Sequence, residues 1–234
     1  MKSRFRSMSA LPVIVAGLLC VASMGFAQET SVKPGINDSF QDPDVGFYVN
    51  LFEGESRAIF KYRNEIIDVL QLEEGTDVAD IGAGTGFFSR MMAHKVGPRG
   101  TVYAVDIAEN FIEHIAELSK KEGLKNMKAI VCSERSVDLP ENSIDVAFIC
   151  DVYHHFEYPY DSMASLHKAM RPGGRLVIVD FERVKGVSRE WTLGHVRCGK
   201  GTVTDEVKDS GFDFVEEVDL GMNEQWVRVY RKRG

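Results

Sequence analysis

Short apolar segments and amphipathic segments alternate along the chain from residue 77 onward. The apolar segments are rich in valine, isoleucine and alanine, as in strands that are covered on both faces. They predict strands at residues 77–81, 101–106, 128–132, 144–151, 175–181, 212–220 and 225–231. Apolar residues at helical spacing predict helices at 56–70, 87–96, 110–121 and 160–170, and a further helix opened by Thr204 and Glu206.

The order of these segments predicts the arrangement of the sheet. Strands that alternate with helices form a parallel sheet with right-handed crossovers. The last two strands flank Gly221 with no helix between them, so they form a hairpin and add an antiparallel strand at or near one edge. The predicted fold class is therefore α/β, with a doubly wound, mostly parallel seven-stranded sheet and a C-terminal antiparallel hairpin strand.

The first 27 residues differ from the rest of the chain. The basic residues Lys2, Arg4 and Arg6 precede a mostly apolar stretch at 10–26. This layout predicts a secretory signal peptide that is cleaved after Ala27, and hence a periplasmic or otherwise exported protein. An uncleaved leader that anchors the chain to a membrane is the alternative, because about 17 apolar residues is the short end of a membrane span.

The remaining chain divides into a lead-in and one domain. The lead-in covers residues 28–55 and opens with a polar stretch at 28–45, whose two prolines predict a surface segment. Residues 56–234 form a single domain, which suits a chain of 234 residues of which 44% are hydrophobic.

Charge and cysteine content exclude several classes of function. The net charge is −7, and it becomes −10 when a leader with three basic residues is removed. An acidic surface repels phosphate backbones, so no nucleic-acid partner is expected. The cysteines outside the leader are Cys132, Cys150 and Cys198, an odd number without a Cys-x-x-Cys spacing. They predict neither a disulfide framework nor a zinc site.

A glycine-rich loop joins the first predicted strand to the helix that follows it. Gly82, Gly84 and Gly86 let the backbone pass close to a ligand, and the free amide groups that open the helix favour an anion. Asp106 ends the next strand, where a carboxylate accepts hydrogen bonds from a ribose diol. Together these features predict an adenosine ligand. Phe87 stands where the dinucleotide fingerprint has its third glycine, so the spacing favours a ligand with one small anionic end.

Four segments of the sequence resemble, in order and spacing, the successive motifs of class I S-adenosylmethionine-dependent methyltransferases. They are ADIGAGTGFFSR, YAVDIAENFIEHI, LPENSIDVAFICDVYHHF and LHKAMRPGGRLVIVDF. The chain is most similar to the small-molecule branch that includes the ubiquinone and menaquinone biosynthesis enzymes, over about residues 50–234. The resemblance implies a Rossmann-like fold, S-adenosyl-L-methionine as the cofactor and a small-molecule acceptor of the methyl group.

The same resemblance implies which residues hold the cofactor. Those expected around its methionine part are Asp80, Gly82, Ala83, Gly84 and Gly86. Asp106 is expected to bind the ribose hydroxyls, and Ile107 to lie beside the adenine. Glu134 is the candidate for the adenine amino group, with Asp138 as the alternative, and Asp151 is a further cofactor contact.

Residues that follow the fourth and fifth strands are the candidates for catalysis and acceptor binding. Asp151, His154 and His155 stand where a proton acceptor is needed, and histidine titrates near neutrality. A structural role in shaping the loop is the alternative for either histidine. The predicted acceptor contacts are Tyr153, Trp191 and His195. No metal site is expected, because adjacent histidines rarely chelate together and no third ligand has an evident spacing.

An aromatic group precedes the domain. It consists of Tyr48, Phe52 and Tyr62, with Arg63 beside them. In the enzymes that the chain resembles, this segment closes over the cofactor as a lid, and aromatic rings there favour a sulfonium. Plain packing of a helix is the alternative.

Two other functions stay open at the level of sequence. One is a nicotinamide-dependent oxidoreductase on a similar sheet, which the glycine spacing disfavours. The other is an exported cofactor-binding protein without turnover, since the cofactor is made in the cytoplasm and an exported enzyme needs a supply. The sequence identifies neither the acceptor nor the oligomeric state.

Overall fold

The computed structural model of the chain describes residues 28–55 and 57–234. In this part of the chain the strands are β1 (Val78–Ile81), β2 (Val102–Asp106), β3 (Met127–Val131), β4 (Ile144–Cys150), β5 (Met170–Phe181), β6 (Phe212–Val218) and β7 (Gln225–Lys232). They form one seven-stranded sheet with the order β3-β2-β1-β4-β5-β7-β6. Strands β1 to β5 pair in parallel, whereas β7 is antiparallel to both β5 and β6. The predicted fold class is confirmed.

Helices cover both faces of this sheet. They are α1 (Val45–Phe52), α2 (Ala58–Lys61), α3 (Arg63–Val69), α4 (Phe87–Val96), α5 (Glu109–Glu122), α6 (Pro159–Ala169), α7 (Glu190–His195) and α8 (Lys200–Asp209). Alternate residues of one strand enter different cores, with Ala147 and Ile149 on one face of β4 and Val146 and Phe148 on the other. Burial on both faces explains why this strand reads as a continuous apolar run.

Three of the predicted elements differ most from the observed ones, while several others differ by one or two residues at an end. The helix predicted at 56–70 is two helices, α2 and α3, because the chain bends at Tyr62, while Ser56 lies outside the described residues. Strand β5 begins at Met170 instead of residue 175, since Met170 still pairs with Ile144 across a register shift. Helix α8 begins at Lys200, before the predicted Thr204.

The polar stretch at 28–45 lies mostly at the surface, as predicted, but it is also attached to the domain. Ile36 and Asn37 are buried. The backbone N–H of Val32 donates to the carbonyl of Glu157 at 2.9 Å, and the hydroxyl of Ser31 donates to its carboxylate at 2.6 Å. Polar groups of this stretch form hydrogen bonds with the loop that follows β4. The stretch therefore forms part of the wall of the site.

The predicted leader, residues 1–27, lies outside the described residues. Among the helices that the structure describes, none has the length and apolar character needed to cross a membrane. The thiols of Cys132, Cys150 and Cys198 are free.

Candidate active site

The glycine loop after β1 is shaped by close contacts. Gly82, Gly84 and Gly86 have positive φ angles of 73°, 54° and 76°. A Cβ atom on Gly82 would lie 2.4 Å from a methyl carbon of Val152, and one on Gly86 would lie 2.8 Å from Ile115. Only glycine fits such positions. The first contact brings the loop against the end of β4, and the second lets α4 begin against α5.

The carboxylate of Asp106 is bound to this loop. It is buried, and it accepts hydrogen bonds from the backbone N–H of Gly84 at 2.8 Å and of Ala108 at 3.0 Å. A carboxylate has about four acceptor positions, so roughly two remain for another ligand. These two positions suit the paired hydroxyls of a ribose.

A nucleoside cavity lies beside Asp106. We define it by Gly84, Asp106, Ile107, Phe111, Glu134 and Val137, which all line it. Of the two predicted partners of an adenine amino group, Glu134 faces this space. The carboxylate of Asp138 instead accepts the backbone N–H of Ser133 at 3.0 Å and holds the loop after β3.

A histidine cavity adjoins it, with a volume of about 460 Å³. We define it by Asp80, Arg57, His154, His155, Trp191 and His195. Phe52, Gly82, Gly84, Asp151 and His155 line both cavities, so the two spaces share a wall. A volume of this size holds a small organic molecule.

Buried carboxylates dominate the electrostatics where the cavities meet. Burial raises the pKa of Asp80 to about 7, and the charge of Asp106 adds to the effect, although the Ser89 hydroxyl donates to Asp80 at 2.5 Å. Burial raises the pKa of Asp106 as well. Burial also raises the pKa of Asp151 to about 6, despite an ion pair of 2.6 Å with Arg57. A cation in this place would relieve all three carboxylates.

Asp151 has one free oxygen. Its Oδ2 accepts from Arg57, whereas its Oδ1 is buried and has no hydrogen-bond partner among the described residues. Its φ is 53°, an unusual value for a residue other than glycine. Unpaired buried oxygens and strained backbone are both common at functional sites.

Each histidine of the predicted pair has its own hydrogen-bond partner. Nδ1 of His154 lies 2.7 Å from the carboxylate of Asp180. Nδ1 of His155 lies 3.2 Å from Oδ1 of Asn37, whose amide Nδ2 donates to the carbonyl of His155 at 3.1 Å. The third ring belongs to His195 on α7, and its Nε2 lies 3.2 Å from Nε2 of His155. The structure thus brings the predicted catalytic and acceptor-contact histidines together.

Two of these imidazoles are neutral at pH 7. Burial, with the nearby charges of His154, His195 and Lys33, lowers the pKa of His155 to about 2. Burial, with the charges of His154 and Lys33, lowers the pKa of His195 to about 4. At neutral pH each of these rings therefore offers one unprotonated nitrogen to a hydrogen-bond donor.

Trp191 and Tyr153 occupy opposite environments. The indole of Trp191 lines the histidine cavity and stacks on the ring of His195, with centroids 4.7 Å apart. Tyr153 is fully buried and lines neither cavity; it packs with Phe156 in the core. Successive side chains of the 3-10 helix Tyr153–His155 point about 120° apart, so Tyr153 faces away from the histidines. Its position does not support the predicted acceptor contact.

Only part of the predicted lid covers the site. Tyr48 and Phe52 of α1 line the histidine cavity, and Phe52 approaches Gly84 closely. Tyr62 instead directs its hydroxyl to the carbonyl of Gly221. The remaining member, Arg63, donates to the carbonyl of Phe60 at 2.7 Å.

Sequence reasoning missed two supporting residues of this site. Asn37 lies 118 positions from His155, and nothing in a polar lead-in marks one asparagine as its partner. Glu53 accepts the hydroxyl of Thr85 at 2.9 Å and the guanidinium of Arg90 at 2.7 Å, which fixes the end of α1 to the glycine loop. The position of Asp180 at a strand end was a signal for its contact with His154.

Known proteins share both sequence and fold with this chain. The family model described as a methyltransferase domain matches residues 72–230, more than half of the chain. The demethylmenaquinone methyltransferase of Listeria welshimeri is 29% identical over 120 residues, which is 51% of this chain and 51% of that protein. The one from Geobacillus stearothermophilus is 27% identical over 124 residues, 53% of each protein. The chain spans about half the length of the curated relatives it matches.

A solved structure extends the likeness to the fold. The crystal structure of an S-adenosylmethionine-dependent methyltransferase from Aquifex aeolicus matches with a TM-score of 0.70 and 23% identity, over 82% of this chain and 100% of that chain. Its fold is the Rossmann-like sheet described above. The chain therefore belongs to the methyltransferase-domain family, within the class I S-adenosylmethionine-dependent methyltransferases, and its cofactor is S-adenosylmethionine.

Proposed function

We propose that this protein transfers the methyl group of S-adenosylmethionine to an aromatic small molecule with an acidic hydroxyl, of the quinol type. The bound cofactor supplies an electrophilic methyl group on a sulfonium. The observation that carries the proposal is the buried carboxylate of Asp106, which is held by Gly84 and Ala108 with acceptor positions to spare for the ribose.

The residues around Asp106 fit the rest of the cofactor. The nucleoside cavity has apolar walls for a base, and Glu134 lies at its edge for an amino group. The carboxylates of Asp80 and Asp151 border the glycine loop, and burial raises the pKa of both. A sulfonium and an ammonium group beside them would stabilise their ionised forms.

Asp151 is the proton acceptor that the geometry favours. Its Oδ1 has no partner and it lines both cavities, so it stands between cofactor and acceptor. Its pKa of about 6 also suits a general base near neutral pH. His155 and His195 are too weakly basic for this role, and they line the wall against which the acceptor lies.

The walls of the histidine cavity support an aromatic acceptor. The apolar residues that line it include Ile59, Phe87, Phe181 and Trp191. Such walls exclude water and position a flat ring, and methyl transfer depends mainly on positioning. The Listeria and Geobacillus relatives are named demethylmenaquinone methyltransferases, which agrees with a quinol.

Calorimetric titration tests the cofactor half of the proposal. The wild-type protein should bind S-adenosylmethionine and S-adenosylhomocysteine, and Asp106→Asn should weaken binding by roughly ten- to hundredfold, because a charged hydrogen-bond acceptor is lost. Asp68→Asn is the matched control, since Asp68 is exposed and lines neither cavity. No binding to wild type at high micromolar cofactor would overturn the proposal.

Product analysis tests the acceptor half. Cofactor with a deuterated methyl group is incubated with a 1,4-naphthoquinol and, separately, with an aliphatic amine. Mass spectrometry should show the label on the quinol only. Label on the amine alone would contradict the proposed acceptor class, and quenching of NADH fluorescence by the protein would favour the oxidoreductase alternative instead.

A further inference from the structure

Three histidines converge at one point of the histidine cavity. One ring nitrogen from each of His154, His155 and His195 lies within 4.8 Å of the others, and this is the group of potential metal ligands that the described residues contain. Two of them come from the 3-10 helix after β4 and the third comes from α7. The expectation of no metal site assumed that the adjacent pair had no third ligand, and the fold supplies one.

The hydrogen bonds fix which nitrogens are available. Asp180 takes the Nδ1–H of His154, so Nε2 is the nitrogen of that ring that faces a metal ion. The amide nitrogen of Asn37 donates to the carbonyl of His155, so its Oδ1 must accept the Nδ1–H of the same histidine. Nε2 of His155 is therefore unprotonated. A carboxylate or amide oxygen behind each histidine is the usual outer shell of a metal site.

The separation of the rings suits one metal ion. Nitrogen ligands about 2.0–2.1 Å from a tetrahedral metal lie roughly 3.3 Å apart. Nε2 of His155 and Nε2 of His195 are 3.2 Å apart. Stacking on Trp191 fixes the plane of the third ring. Cys198, three residues after His195, does not belong to the group.

We propose that His154, His155 and His195 bind a divalent transition metal ion, of which zinc is representative, with an open position toward the histidine cavity. Imidazole ligands favour zinc, copper, iron and nickel over magnesium or calcium. Three protein ligands leave a fourth position for an oxygen ligand. If the proposed function holds, that ligand is the ionised hydroxyl of the acceptor, which the metal would orient and hold as an oxyanion.

Cobalt(II) absorption tests the site without any need for turnover. Tag-free, chelator-treated protein is titrated with CoCl2, and visible d–d bands of a four- or five-coordinate site should saturate at one equivalent. His195→Ala should weaken cobalt binding at least tenfold, and Asp180→Asn by roughly ten- to hundredfold through loss of support for His154. His94→Ala is the matched control, because His94 is exposed on α4 and outside the group.

The outcomes distinguish a failure of the metal site from a failure of the proposed function. Circular dichroism checks that each variant is folded, and a Cys198→Ser variant that keeps its bands excludes thiolate binding. Wild-type protein without saturable bands, or bands that survive in His195→Ala, would overturn the metal site. Calorimetry with S-adenosylhomocysteine should give the same affinity in wild type and His195→Ala, so loss of the metal site leaves the cofactor test intact.

Discussion

Asp80 gives the cofactor site a dependence on pH. Its carboxylate is protonated below its pKa of about 7, a value raised first by burial and then by the charge of Asp106. A cationic ligand binds the ionised form better, so binding should release protons near neutrality. We expect the affinity for S-adenosylmethionine to rise by roughly tenfold from about pH 6 to about pH 8. Calorimetry in two buffers of different ionisation enthalpy measures both the affinity and the released protons.

Asp80→Asn is the control for this linkage. A carboxyl whose pKa is raised in the folded state stabilises the fold fully below its unfolded-state pKa of about 4, and this stabilisation is lost as the pH rises through its folded-state pKa of about 7. Between about pH 4 and about pH 7, the free energy of unfolding of the wild type should therefore fall more than that of Asp80→Asn. Equal pH profiles for the two proteins would show that Asp80 does not titrate in this range.

Single residues of the site differ in how far the sequence predicts them. Asp106 is predicted by a local pattern, whereas Glu134 is implied by the family resemblance with Asp138 as the alternative; both Asp106 and Glu134 line one cavity. The partnership of Asn37 with His155, and the approach of His195, arise when distant segments pack together. Tyr153 was predicted to contact the acceptor, but its side chain lies in the core. One step along a 3-10 helix turns a side chain from the cavity to the core, and the sequence pattern does not show this turn.

The glycine loop depends on one contact between two elements. Gly82→Ala would place a Cβ atom 2.4 Å from Val152 at a φ of +73°, so the loop and the end of β4 would separate. We expect a loss of about 2–4 kcal/mol in the free energy of unfolding, from backbone strain and overpacking together, and loss of cofactor binding. Urea denaturation and calorimetry measure the two effects.

Gly123→Ala is the matched control for this variant. Gly123 has a φ of +72°, but nothing lies within 4 Å of the position of a Cβ atom. Its substitution should cost only the backbone term, about 1–2 kcal/mol, and leave cofactor binding unchanged. Similar losses in both variants would mean that the Val152 contact is unimportant.

At the scale of elements, hydrophobic periodicity predicts the type and order of the strands well. Each strand carries its own apolar run, and burial on both faces makes that run continuous. Breaks that tertiary contacts impose are not visible in the pattern, as at Tyr62, where one predicted helix becomes two. The attachment of the lead-in has the same origin, since Ser31, Val32 and Gly35 form hydrogen bonds with Glu157, a residue far along the chain.

The whole molecule carries a prediction about its location. We propose that residues 1–27 direct export and are cleaved after Ala27, with a retained membrane anchor as the alternative. Mass spectrometry of the protein from separated periplasmic and membrane fractions should find an N-terminus at Gln28 in the soluble exported fraction. An intact leader in the membrane fraction would contradict cleavage. In the cleaved form the first residue would lie against α6, where the N–H of Gln28 donates to Asp161 at 2.9 Å.

The position of β7 inside the sheet affects how the polypeptide is completed during synthesis. β7 pairs with β5 on one side and with β6 on the other, although both precede it in the chain. Until residues 225–232 have left the ribosome, the backbone N–H and C=O groups of β5 and β6 that pair with β7 stay unpaired and accessible to water and to other chains. The sheet of the nascent protein thus stays incomplete until β7 is synthesised, and an intermediate with two unpaired strand edges is prone to associate with other chains.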